Sequence, residues 1–104
     1  MLEPSVERMY IPHQPGLDGI TVYWQNYEPG KGMVTIVCYG CAWNSYFGAM
    51  PENTIQEFFA KADVSYLVGR LGSTQFLKTN TTHLKYLARI IEAVKEALKA
   101  KEPQ

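Results

Sequence analysis

The chain has 104 residues, 46% hydrophobic and 19% charged, and its formal net charge is zero. That length suits one domain around a single core, and that composition excludes a chain disordered throughout. No apolar run reaches the roughly 20 residues of a membrane-spanning helix, and zero net charge argues against a nucleic-acid binder that relies on a strong positive field.

The neutrality conceals a polarity along the chain. Residues 1–52 hold five acids against Arg8 and Lys31, a balance of −3, whereas residues 53–104 hold eight bases against five acids, a balance of +3. The start, MLEPSVERMYIPHQPG, has acids and prolines where a secretory leader has a basic start and an apolar run. A cytoplasmic location is expected, and two cysteines fit that compartment as reduced thiols.

Residues 1–18, with Pro4, Pro12, Pro15 and Gly16, read as an extended arm carrying at most a short edge strand around Arg8–Ile11. From Ile20 to Tyr27 the chain alternates, with Ile20, Val22 and Trp24 on one side and Thr21, Tyr23 and Gln25 on the other, which predicts a half-buried strand. Glu28-Pro29-Gly30-Lys31-Gly32 predicts a five-residue reversal. Met33–Tyr39 then alternates again, with Val34, Ile36 and Cys38 on one face, so the two runs make an antiparallel hairpin. Cys41–Phe47 predicts a third strand, paired with the second across a bulge at Gly40, and Gly48 and Pro51 close it.

Asn53 with Gln56 three residues on has the pattern of a capping box, opening a helix whose inward face is Ile55, Phe58, Phe59 and Ala62. Asp63 predicts a second N-cap and a short helix over Val64–Leu71, ended by Gly72. Gln75-Phe76-Leu77 reads as a connection or a short strand. Asn80, Thr81 and Thr82 are cap candidates for a last helix running to about Lys99, with an apolar stripe of Leu84, Leu87, Ile91, Val94 and Leu98. Strands first and helices afterwards predict an α+β domain. An antiparallel sheet of two or three strands over residues 19–47 is covered on one face by helices over residues 53–100.

Catalytic patterns are weak, and no enzyme activity and no cofactor are expected. Cys38 and Cys41 form a C-x-x-C that suits buried structural thiols, half a metal site or a redox pair. Only His13 and His83 remain as further soft ligands, at no recognisable spacing, and His83 is the one histidine outside the arm that could serve Cys41 or Ser45 as a base. The aromatic corner is the stronger candidate. Tyr39, Trp43, Tyr46 and Phe47 fall within nine residues, and exposed Tyr and Trp dominate interface hot spots. The competing readings are that Trp43 and Phe47 wrap the core beneath the first helix, or that the rings stack nucleic-acid bases. Lys85, Arg89 and Lys95 on the last helix are candidate contact cations.

The run VTIVCYGCAWNSYFGAMPENTIQEFFAKADVSYLVGRL carries further landmarks: Ala42-Trp43 at a strand end, Tyr46-Phe47-Gly48-Ala49-Met50, Phe58-Phe59 at a helix end, and Asp63 before Tyr66-Leu67. In these it resembles a family of short proteins encoded by tailed bacteriophages and enterobacterial prophages, over about residues 18–72. Pro51 departs from the pattern, where a small flexible residue is expected. The resemblance carries over no functional residue. It implies a small phage accessory protein of the kind that binds and disables a host protein or a defence complex, for example an anti-CRISPR protein or an inhibitor of a recombination nuclease. A non-enzymatic inhibitor using Tyr39, Trp43, Tyr46 and Phe47 is therefore the leading expectation. The alternatives are a nucleic-acid-binding accessory protein using the basic last helix, and a homodimer paired through its leucine stripe.

Overall fold

The computed structural model describes residues 5–38, 40–50, 54–72 and 81–101, of which 81–83 and 101 are described by backbone alone. Pro51, Asn53, Gln75–Leu77 and Asn80 lie outside the described residues, as does Tyr39. Four strands, β1 (Ser5–Ile11), β2 (Ile20–Glu28), β3 (Lys31–Cys38) and β4 (Cys41–Phe47), form one antiparallel sheet in chain order. Three helices follow: α1 (Ile55–Lys61), α2 (Val64–Gly72) and α3 (Thr81–Lys101). The architecture is α+β, with four strands where the sequence predicts two or three.

The additional strand lies in the segment read as an arm, where the short edge strand expected around Arg8–Ile11 extends back to Ser5. β1 pairs with β2 along its whole length, from Ser5 opposite Asn26 to Ile11 opposite Ile20. Met9 and Ile11 enter the core at 4% and 6% exposure while Val6, Arg8 and Tyr10 point away from it. Pro12 follows the last pair, as befits an edge strand.

The two hairpins are tighter than their sequences imply. Between β2 and β3 the chain reverses at Pro29–Gly30, and Lys31 and Gly32 already belong to β3. Gly32 is small because α1 crosses it: a Cβ there would stand 2.9 Å from both the Gln25 carbonyl oxygen and the Ile55 Cβ. Gly40, at φ 71°, is not a bulge. It belongs to the turn that sets Cys38 directly opposite Cys41.

Capping of α1 is shifted by one residue from the predicted box. Thr54 is the N-cap: its hydroxyl accepts from the Glu57 amide at 3.2 Å, and the Glu57 carboxylate accepts from the Thr54 amide at 3.0 Å. Gln56 faces the sheet instead, its side-chain oxygen accepting from the Asn26 side-chain amide at 2.9 Å, while the Asn26 side-chain Oδ1 accepts from the Ile55 backbone amide at 2.8 Å. One β2 side chain thus holds the first turn of α1 in place.

All three helices pack on one face of the sheet, α1 against β2 and β3, α2 against β4, and α3 against β1. The core joins Ile20, Val22, Trp24, Val34 and Ile36 of the sheet to Phe59, Leu67, Leu71, Leu87, Ile91 and Val94 of the helices. Trp24 meets Phe59 edge to face at a ring separation of 5.3 Å. Each such side chain contributes about 1.5–3 kcal/mol when removed from water. The stripe of α3 is consumed here. Leu87, Ile91, Val94 and Leu98 are buried in the core, joined by Ile90, and Leu84 is half-buried.

Candidate functional site

Because side chains alternate along a strand, a sheet covered on one side leaves every second residue on the other. The cross-strand register arranges these outward residues in rows. Val6, Gln25, Met33 and Tyr46 form one row; Arg8, Tyr23, Thr35 and Asn44 the next; Tyr10, Thr21, Val37 and Ala42 the third. None of the twelve is buried. Tyr46, Tyr23 and Tyr10 run diagonally across this open face at 46%, 38% and 53% exposure, with Val6 exposed beside them.

Two of the rings are seated on glycine. A Cβ on Gly19 would lie 2.5 Å from the Tyr10 hydroxyl, and one on Gly48 would lie 2.9 Å from the Tyr46 ring. The phenol ends therefore rest where those glycines lack side chains, Gly19 just before β2 and Gly48 just after β4, which restricts ring position. Tyr27 adds a tilted contact to Tyr46 at 5.9 Å. Arg8 is the one charge in the three rows. It stands opposite Tyr23, with its guanidinium 5.9 Å from the centre of the Tyr10 ring. Fixed rings, amide and hydroxyl groups and one cation equip the face for apolar contact, stacking and a single ion pair.

The seven residues singled out in the sequence do not share this surface. Tyr46 is on it, and Tyr39 lies outside the described residues. Trp43 and Phe47 have the opposite parity and face the helices. Trp43 packs against the core, and Phe47 is 3% exposed, between Phe58 at 5.1 Å and the Arg70 guanidinium at 4.7 Å from its ring centre. Phe47 is thus part of the core and is not on the open face. Arg70 also donates to the Tyr46 carbonyl oxygen at 2.7 Å, tying α2 to β4.

Lys85 and Arg89 are exposed on α3, behind the sheet. Lys95 is not a surface cation. Its ammonium donates to the carbonyl oxygens of Phe59 at 3.2 Å, Ala60 at 2.9 Å and Ala62, closing the C-terminal end of α1. Burial, and then the neighbouring Lys99 charge, push its pKa down. A shallow depression of about 340 Å3 between residues 14–17 and α3 is lined by Arg89, Glu92 and Glu96, a mixed set of charges with no preferred ligand.

The outward residues that motif reading missed are Val6, Arg8, Tyr10 and Tyr27. For the first three the signal was present as alternation against Met9 and Ile11. Among the described residues no three His, Cys, Asp or Glu side chains gather into a metal-binding group, and no helix is long and apolar enough to cross a membrane.

A family model described as a phage family, Phage_phiTE_072, matches residues 2–85. The chain belongs to this phage family. The match takes in all four strands, α1, α2 and the start of α3, so the family unit includes β1 and the whole open face. No curated protein and no solved structure matches the chain.

Proposed function

We propose that this phage protein is a non-enzymatic binding protein that inhibits or modulates a host protein or host defence complex, and that it makes contact through the open face of its sheet. The observation that carries this reading is the diagonal of Tyr10, Tyr23 and Tyr46, two of its rings seated over glycine, on a face that none of the described elements covers. Tyrosine gives large contact area at low entropic cost, and rings already held in place lose less freedom on binding. Anti-CRISPR action and nuclease inhibition are the concrete forms such an activity takes in a phage.

Two features weigh against nucleic acid on α3 as the primary mode. Lys95 is engaged by α1, and Glu92 and Glu96 interleave the remaining cations. A polyanion loses affinity steeply when acids share the strip that binds it.

The test begins by capturing host proteins on the immobilised chain and identifying them by mass spectrometry. The affinity of the purified partner is then measured for wild type, Tyr23→Ala, Tyr46→Ala and the remote control Lys61→Ala. The two tyrosine variants are expected to lose about 30-fold or more, as hot-spot truncations do, with unchanged thermal melting. Equal affinity in all four proteins sinks the reading. A gel shift on single- and double-stranded DNA that steepens at low salt would replace the protein partner with nucleic acid.

A further inference from the structure

Cys38 and Cys41 are direct cross-strand partners on either side of the Gly40 turn. Cross-strand partners project from the same face, and both cysteines have the parity of the helix-covered side. Directly opposed residues in an antiparallel pair have Cα atoms about 4.5–5.5 Å apart, inside the roughly 4.4–6.8 Å that a disulfide spans. Both thiols are free, yet their settings differ. Cys41 stands exposed at the end of the sheet, whereas Cys38 is 1% exposed. The Cys38 sulfur lies 3.8 Å from the Asp18 carbonyl oxygen and 3.9 Å from the Tyr86 hydroxyl, linking β3 to the segment before β2 and to α3.

We propose that Cys41 and Cys38 are a reversible dithiol, with Cys41 as the attacking thiol and Cys38 as the resolving thiol, oxidised by exchange with a low-molecular-weight disulfide of the glutathione class. Cys41 loses its proton to solvent, and its thiolate attacks one sulfur of the small disulfide, expelling one small thiolate and forming a mixed disulfide. The Cys38 thiol then gives up its proton, and its sulfur attacks the Cys41 sulfur. The second small thiolate leaves, and both small thiolates take up protons. Two protein thiols thus become one disulfide, and the small disulfide is reduced to two thiols.

The order follows from access. A small disulfide reaches Cys41 from solvent, while Cys38 is shielded, and burial, followed by the charge of Asp18, pushes its thiol pKa up. Cys38 therefore reacts only with a sulfur already delivered beside it. Closing the bond draws its sulfur away from Asp18 and Tyr86 and loosens that three-way contact.

The experiment equilibrates the purified chain in graded mixtures of reduced and oxidised glutathione, quenches it by alkylation, and reads intact and peptide masses. Wild type is expected to lose two hydrogens in a transition that dithiothreitol reverses, with no lasting glutathione adduct. Cys38→Ala, which keeps a small apolar side chain in the core, should retain a stable adduct on Cys41. Cys41→Ser should take up neither adduct nor disulfide while its circular dichroism stays that of wild type. A lasting adduct on wild-type Cys41, or two free thiols throughout, overturns the proposal. So does an adduct on Cys38 in the folded Cys41→Ser chain.

Discussion

Lys95 shows how far one side chain can depart from the role its charge advertises. On a basic helix it is a contact cation by type, but its ammonium supplies the last carbonyls of α1 with donors that the helix cannot provide for itself. Lys95→Met keeps the stem and removes the donor, and should lower stability by about 1–3 kcal/mol in chemical denaturation. Glu57 gives a pH-dependent case. The Thr54 amide, and then its hydroxyl, hold the Glu57 carboxyl below its ordinary range, so the folded chain binds that proton less readily than the unfolded one. Its contribution is complete above the ordinary glutamate range and is lost as pH falls through the lowered folded value. The stability gap between wild type and Glu57→Gln should be widest near neutrality and close in acid. An unchanged gap across that range would remove Glu57 from the box. The sequence was ambiguous here because Asn53/Gln56 and Thr54/Glu57 satisfy the same pattern one residue apart. What decides is Asn26, thirty residues upstream of Gln56, which engages the Gln56 side chain and the Ile55 amide.

At the scale of elements, the two hairpins separate two kinds of glycine. Gly40 has φ 71° with open space where a Cβ would point, so Gly40→Ala should cost only the left-handed backbone penalty, about 1–2 kcal/mol. Gly32, in the strand and without a positive φ, carries no such penalty, but Gly32→Ala meets the Gln25 backbone and Ile55, and the overpacking should cost about 1–3 kcal/mol and disturb the docking of α1. Urea midpoints for both variants, with α1 protection read by hydrogen exchange, distinguish the two mechanisms. Alternation made β2, β3 and β4 legible, β4 to the residue, because each carries at least three inward side chains. β1 was legible only in its second half, as the edge strand expected around Arg8–Ile11, because only Met9 and Ile11 mark its buried side and the prolines around it read as an arm. Periodicity also revealed the stripe of α3, but a stripe does not state whether it covers its own core or a second helix.

For the molecule as a whole, parity divides the aromatic corner. Trp43 and Phe47 face the helices and Tyr46 faces away, a split that alternation gives, although which side is sealed depends on where the helices land. Phe47→Ala should cost about 3–5 kcal/mol and lower the melting temperature, whereas Tyr23→Ala should leave melting within a few degrees of wild type. Destabilisation of equal size in both variants would mean that the outer face is covered as well. The order of layers along the chain also bears on how the protein is made. A ribosome delivers the complete four-stranded meander before any helix, so the side bearing Trp24 and Phe47 emerges greasy and uncovered. α1 and α2 then cover part of it, Phe59 against Trp24 and Phe58 against Phe47, and the part beneath α3 stays open until that helix arrives with Leu87, Ile90 and Val94. A transcript cut after Gly72 should yield inclusion bodies in a sedimentation assay, and early termination late in the gene should be as damaging as a lesion at its start.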